Sequence, residues 1–130
     1  MKLACFLSVD EVVRIHDSMI DKFGGASGIR EQGLLESAIF QAQVAFGGDF
    51  VCQDVYEMAA AYLYHIVKNH PFIDGNKRTG IVVATSFLDC QGYEIDLSQD
   101  EFYKLALDVA NSKKDKPAIA RLLKKKIIEN

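Results

Sequence analysis

The sequence predicts an all-α fold: a compact bundle of about six helices, residues 1–130 forming one domain with at most a short hairpin or flap. Three observations predict it. Apolar residues recur at helical spacing in segment after segment. Helix starts are marked by Ser–x–x–Glu pairs and by a proline suited to a first turn. No linker, repeat or low-complexity tract interrupts a chain of 130 residues, which is long enough to bury a single core.

Taken in order, Ser8 and Glu11 form a capping-box pattern, and Val12, Val13, His16, Met19, Ile20 and Phe23 follow at helical spacing until Gly24-Gly25. Leu34, Leu35, Ala38, Ile39 and Ala42 mark one face of a second helix. The segment Ala45-Phe46-Gly47-Gly48-Asp49-Phe50 breaks the period and reads as a loop or short hairpin. Val55, Met58, Ala59, Tyr62, Leu63, Ile66 and Val67 give a third helix that delivers the chain to His70. A fourth, Thr79 to Gln91, is apolar almost all round, which predicts a place at the centre of the bundle. After Gly92, Tyr93 to Leu97 alternates like a short extended piece. Ser98 and Glu101 repeat the capping box and open a helix that turns Phe102, Leu105, Ala106 and Val109 inward. A last helix starts near Asp115-Lys116-Pro117 and uses Ile119, Leu122, Leu123 and Ile127.

An apolar fraction of 49% with 25% charged residues is that of a globular chain and argues against disorder. The net charge of −3 makes no overall case for nucleic acid, and no aromatic patch is interleaved with basic residues. Charge is nonetheless uneven: residues 112–130 carry a local +5, either a solvated face or a docking surface for an acidic partner. Cys5, Cys52 and Cys90 show no CxxC pair, so neither a disulfide framework nor a zinc site is expected, and Cys90 reads as a small core residue. No stretch approaches the roughly 18 apolar residues of a membrane span, and reduced thiols fit a cytoplasmic location.

The segment His70-Pro71-Phe72-Ile73-Asp74-Gly75-Asn76-Lys77-Arg78-Thr79 carries the chemistry. Pro71 and Gly75 disfavour helix, so its polar groups belong on a loop ending where the fourth helix starts. Free backbone N–H groups and the positive end of the helix dipole would then bind an anion. His70 is the candidate general base, since imidazole titrates near neutral pH. An isolated helix-end histidine is more often satisfied by a carbonyl, but the residues after it favour the catalytic reading. Asp74 is a candidate Mg²⁺ ligand, or simply a helix N-cap. Gly75 permits φ > 0 and close approach of phosphate, and Asn76 can donate to it. Lys77 and Arg78 point about 100° apart on a helix and can grip a phosphoryl group from two sides. Cations at a helix N-terminus oppose the dipole unless an anion joins them. Phe72 reads as the loop's anchor in the core, Thr79 as a helix residue, and His16 and His65 as packing or surface residues. A base beside a phosphate cradle points to phosphoryl or nucleotidyl transfer.

These residues also resemble the signature of the Fic/Doc family, His-x-Phe-x-Asp/Glu-Gly-Asn-x-Arg, with Lys77 filling the variable place as in its Doc (death-on-curing) branch. The likeness extends from Ser8-Val9-Asp10-Glu11 through Gly33-Leu34-Leu35-Glu36-Ser37-Ala38 to Gly92-Tyr93-Glu94-Ile95. It implies ATP as substrate, Mg²⁺ as cofactor, and a flap, here Phe46, Gly47, Gly48, Asp49 and Phe50, that holds the target polypeptide. Fic AMP-transferases usually have glycine at the place of Lys77, and often a second arginine at the place of Ile81. The Doc branch shares both departures and is understood to transfer the γ-phosphate. The resemblance therefore implies a kinase toxin acting on elongation factor Tu and halting translation. It would be held in check by a Phd-like antitoxin from an adjacent gene. The C-terminal Glu129-Asn130 lacks the hydroxyl residue of a self-inhibiting helix. An AMP-transferase that tolerates Lys77, and a non-catalytic regulatory module, remain the alternatives.

Overall fold

The computed structural model describes residues 6–46 and 48–129. Helix α1 runs Val9–Phe23 and α2 Gln32–Phe40, with a 3-10 turn at Gln41–Gln43. Strands β1 (Ala45–Phe46) and β2 (Asp49–Phe50) form a minimal antiparallel hairpin. Helices α3 (Val55–Asn69) and α4 (Asn76–Cys90) follow, then β3 (Tyr93–Ile95), α5 (Gln99–Ala110), α6 (Lys116–Lys125) and β4 (Ile127–Glu129). The expected six-helix bundle is present.

The helix starts obey local chemistry. Both capping boxes form: Ser8 accepts from the Glu11 N–H and Ser98 from the Glu101 N–H, while each glutamate accepts from its serine's backbone. Pro117 sits in the first turn of α6, behind the capping side chain of Asp115.

The helix at the centre is α3 rather than α4, which corrects the sequence reading. Nine of its residues are buried, and it touches α2, α4, α5 and α6. Ile81 and Val82 of α4 are only half-buried, because α4 closes one side of the bundle and turns an apolar flank outward. The two helices pack tightly at Gly80, where a Cβ would stand 3.2 Å from Leu63 and 3.3 Å from Val67. Tyr62, Phe72 and Phe87 are fully buried, each side chain worth roughly 1.5–3 kcal/mol of hydrophobic stabilisation. The Tyr62 hydroxyl accepts from the Leu7 N–H at 3.1 Å, and burial pushes its pKa up to about 12.

Three further expectations change. Ile127, assigned to the last helix, instead begins β4, which pairs antiparallel with β3 through Ile95↔Ile127 and Tyr93↔Glu129. The fold thus has a second two-stranded sheet, joined across 31 intervening residues and so invisible to a local reading. Cys90 is exposed at the end of α4 instead of lying in the core, because the buried face of α4 ends at Leu88, and it is disulfide-bonded, which removes the reduced thiols from the argument for a cytoplasmic location. Among the described residues no helix is long and apolar enough to cross a membrane.

Candidate active site

The signature loop, residues 70–75, joins the two most intimately packed helices and so starts and ends on rigid supports. Its outer flank is backed by the connection between α1 and α2. The Arg30 and Glu31 N–H groups donate to the Pro71 carbonyl at 2.7 and 3.1 Å, and the Ile73 N–H donates to Gly28 at 3.1 Å. An isolated bridge pairs Ile29 with Phe72. Sequence reasoning missed this strip; the run of glycines at 24, 25 and 28 was its only signal.

His70 is the C-cap of α3 and lies in the left-handed region, at φ 50° and ψ 55°. It is exposed, and its imidazole is held by no described side chain. Phe72 is the anchor expected: it is fully buried and stacks on His16, centroids 3.8 Å apart and planes within 4°. His16 is itself buried, and its Nε2 donates to the Asp74 carbonyl at 2.7 Å. It is thus a packing residue that also fixes the loop, a role the sequence did not disclose.

Asn76 departs from its expected role. Its Oδ1 accepts from the Phe72 N–H and its Nδ2 donates to the Phe72 carbonyl, both at 3.0 Å and both buried. The side chain is therefore engaged in closing the loop, where water cannot satisfy Phe72, and only one of its two amide N–H groups is left, on a buried residue. What Asn76 offers an anion from the first turn of α4 is its backbone N–H.

That N–H belongs to an open ledge. Gly75 is the N-cap of α4, at φ 79°, and no side chain caps the helix. The first intrahelical donor is Thr79, bonded to the Gly75 carbonyl at 3.0 Å. The N–H groups of Asn76, Lys77 and Arg78 find no partner among the described residues, which is the arrangement that binds anions. Asp74 does not cap these donors. Its Oδ1 accepts from the Gly75 N–H at 2.8 Å and its Oδ2 from the Ala26 N–H at 3.3 Å. The carboxylate is exposed, so each oxygen keeps a lone pair for a cation. A Cβ on Gly25 would stand 2.6 Å from that Oδ2, so the strip can approach the acid only through a glycine. Among the described residues no group of three or more His, Cys, Asp or Glu gathers that could hold a metal by itself.

The two cations separate as the helical geometry requires. Lys77 is half-buried and forms no ion pair with a described residue. Arg78 lies over Phe23, 4.3 Å from the ring centroid, and 5.6 Å from that of Tyr103. Its guanidinium thus rests against the aromatic side chains of α1 and α5, at the rim of a cavity of about 350 Å³ also lined by Ile81 and Phe102. Thr79 is fully buried, with no described partner for its hydroxyl, so it is a helix residue and no nucleophile.

Of the flap residues, Gly48, Asp49 and Phe50 belong to the β1–β2 hairpin together with the backbone of Phe46, and Gly47 lies outside the described residues. Phe50 packs edge-on against Phe6 at 5.5 Å. His65 stands apart from the site. It is half-buried, its Nε2 accepts from Lys116 Nζ at 3.0 Å, and burial followed by that cation pushes its pKa down to about 4.

Known proteins resemble this chain over the site and its supports. A model of the Fic/DOC family matches residues 6–88. The chain is 34% identical over 100 residues to the Toxin Doc of Mycolicibacterium smegmatis, covering 75% of this chain and 77% of that protein. It is 32% identical over 89 residues to the Protein kinase doc of Escherichia phage P1, covering 68% of this chain and 70% of the phage protein. The signature loop, the strip behind it and the first turn of α4 all fall inside the matched span, and the chain belongs to the Fic/Doc family.

Proposed function

We propose that this protein is a Doc-type toxin: a kinase that moves the γ-phosphate of ATP to a Ser/Thr hydroxyl of a translation factor, by resemblance elongation factor Tu. Names of two relatives, Toxin Doc and Protein kinase doc, support a toxin held by an antitoxin and a transferase activity. Phosphoryl rather than AMP transfer rests on one observation. Ile81, where family AMP-transferases often carry a second arginine, lines the cavity beside Arg78, so that position offers no cation to the scheme those enzymes need. Lys77 adds bulk and charge where those enzymes have glycine. A cytoplasmic location and a Phd-like antitoxin follow from the same reading.

The chemistry needs little beyond positioning and charge. The phosphate chain of ATP lies against the N–H groups of Asn76, Lys77 and Arg78, with Lys77 neutralising charge alongside. Asp74 would hold Mg²⁺, which supplies charge neutralisation at the phosphates. As the acceptor oxygen bonds to the γ-phosphorus, its proton passes to the His70 imidazole. The bond from that phosphorus to the bridging oxygen breaks, and ADP leaves.

Purified elongation factor Tu, incubated with Mg²⁺ and ATP labelled at either the α or the γ position, tests this. Only the γ label should reach the factor, and His70→Ala should slow transfer on the order of 10²- to 10⁴-fold. Transfer of the α label would replace the kinase by an AMP-transferase. Equal growth arrest by wild type and His70→Ala would replace it by a non-catalytic module.

A further inference from the structure

We propose that Arg30, on the connection between α1 and α2, is a positioning residue that fixes the left-handed turn presenting the His70 imidazole. Its importance for transfer rests on the reading of His70 as the base; its hold on the turn does not.

Arg30 meets three consecutive carbonyls: that of the last residue of α3, Asn69, and those of His70 and Pro71 just after it. Its Nη2 donates to Asn69 at 2.9 Å, its Nε to His70 at 2.7 Å, and its backbone N–H to Pro71 at 2.7 Å. The last carbonyls of a helix have no partner within it and carry the negative end of its dipole. A planar fork with two parallel donors can satisfy adjacent carbonyls at once, which a single ammonium cannot. Left-handed geometry at a non-glycine residue is uphill and persists only where its surroundings over-determine it. At His70 those surroundings are the Ile66 carbonyl, bonded to its N–H at 3.3 Å, and the guanidinium of Arg30 bonded to its own carbonyl. No described side chain holds the ring. The backbone therefore fixes the Cα–Cβ direction from which the imidazole projects, and Arg30 is the side chain that holds that backbone.

Arg30 is exposed and outside the core, so its loss leaves the bundle's packing intact. The backbone bonds from residues 30 and 31 to Pro71 also survive substitution, so the strip stays docked. Only the two carbonyls before Pro71 lose their donor.

Arg30→Ala and Arg30→Lys separate this role from a structural one. In γ-phosphate transfer from Mg²⁺-ATP to elongation factor Tu, Arg30→Ala should lower kcat on the order of 10²-fold, the scale of a misplaced catalytic group. KM for ATP should stay within about twofold, because Arg30 makes no contact with the ledge. Arg30→Lys should recover part of the loss, and added methylguanidine should partly rescue Arg30→Ala. Independently of turnover, the His70 amide and ring resonances, sharp in the wild type, should broaden in Arg30→Ala while core amides remain unchanged. Wild-type kcat in Arg30→Ala, or unaltered His70 resonances, would overturn the proposal. If the wild type itself transfers no phosphate, the kinase reading fails, and the resonance measurement still decides the role of Arg30.

Discussion

The N-termini of α1 and α5 differ from that of α4 in what meets their backbone N–H groups. At α1 and α5 a serine and a glutamate exchange hydrogen bonds with the first turn, and both helices carry acidic residues there. These bonds hold the Glu11 and Glu101 carboxyls below the usual carboxylate range. At α4 the cap is a glycine without a side chain, the first turn holds Lys77 and Arg78, and three donors stay open. The first two helices satisfy themselves, and the third stacks positive charge on the positive end of its dipole. That cost is offset only when an anion arrives. An unsatisfied helix start inside an otherwise well-capped fold is thus the mark of the site.

Reversing the charge of the first turn should break the contrast. Lys77→Glu sets a carboxylate in the first turn of α4, beside the three open donors and against the incoming phosphates, where like charges cost several kcal/mol. Mg²⁺-ATP affinity by calorimetry should fall more than about tenfold; unchanged affinity would mean that nucleotide binds elsewhere. Asn76→Ala leaves the N–H and carbonyl of Phe72 buried without partners, and should lower unfolding free energy in urea by roughly 1–3 kcal/mol. A smaller loss would mean that the loop is closed by other contacts. Ser98→Ala at the capped start of α5 should cost about 1 kcal/mol and leave phosphate transfer unchanged. The last effect is spread over pH and concerns His65. Its folded pKa, about 4, lies below its ordinary 6.5, so the unfolded chain takes up the proton first. Its contribution to stability is fully present above pH 6.5 and is lost as pH falls towards 4. His65→Gln should flatten thermal stability against pH across that window, and a profile identical to wild type would contradict the assignment.

The same contrast explains what could be read in the sequence. Capping boxes, Pro117 and the helical periods are local signals, and they located all six helices. The loop around Phe72 and the start of α4 were legible for the same reason, since Pro71 and Gly75 act on their own neighbours. Non-local pairings were not legible. Strand β4 is defined by a partner far back in the chain, and α3 became central because of what surrounds it. The carboxamide of Asn76 illustrates the limit within the site: its type and position permit phosphate binding, but the buried backbone of Phe72 takes both of its ends. Arg30 and His16 carried no signal because their partners lie 40 and 58 residues away.

The open ledge is best tested by titrating the ¹⁵N-labelled protein with Mg²⁺-ATP and following backbone amides. The amides of Asn76, Lys77 and Arg78 should move first and furthest, while those of Glu11 and Glu101, already hydrogen-bonded within their caps, stay still. Saturation with nucleotide that leaves the three α4 amides unmoved would contradict the account.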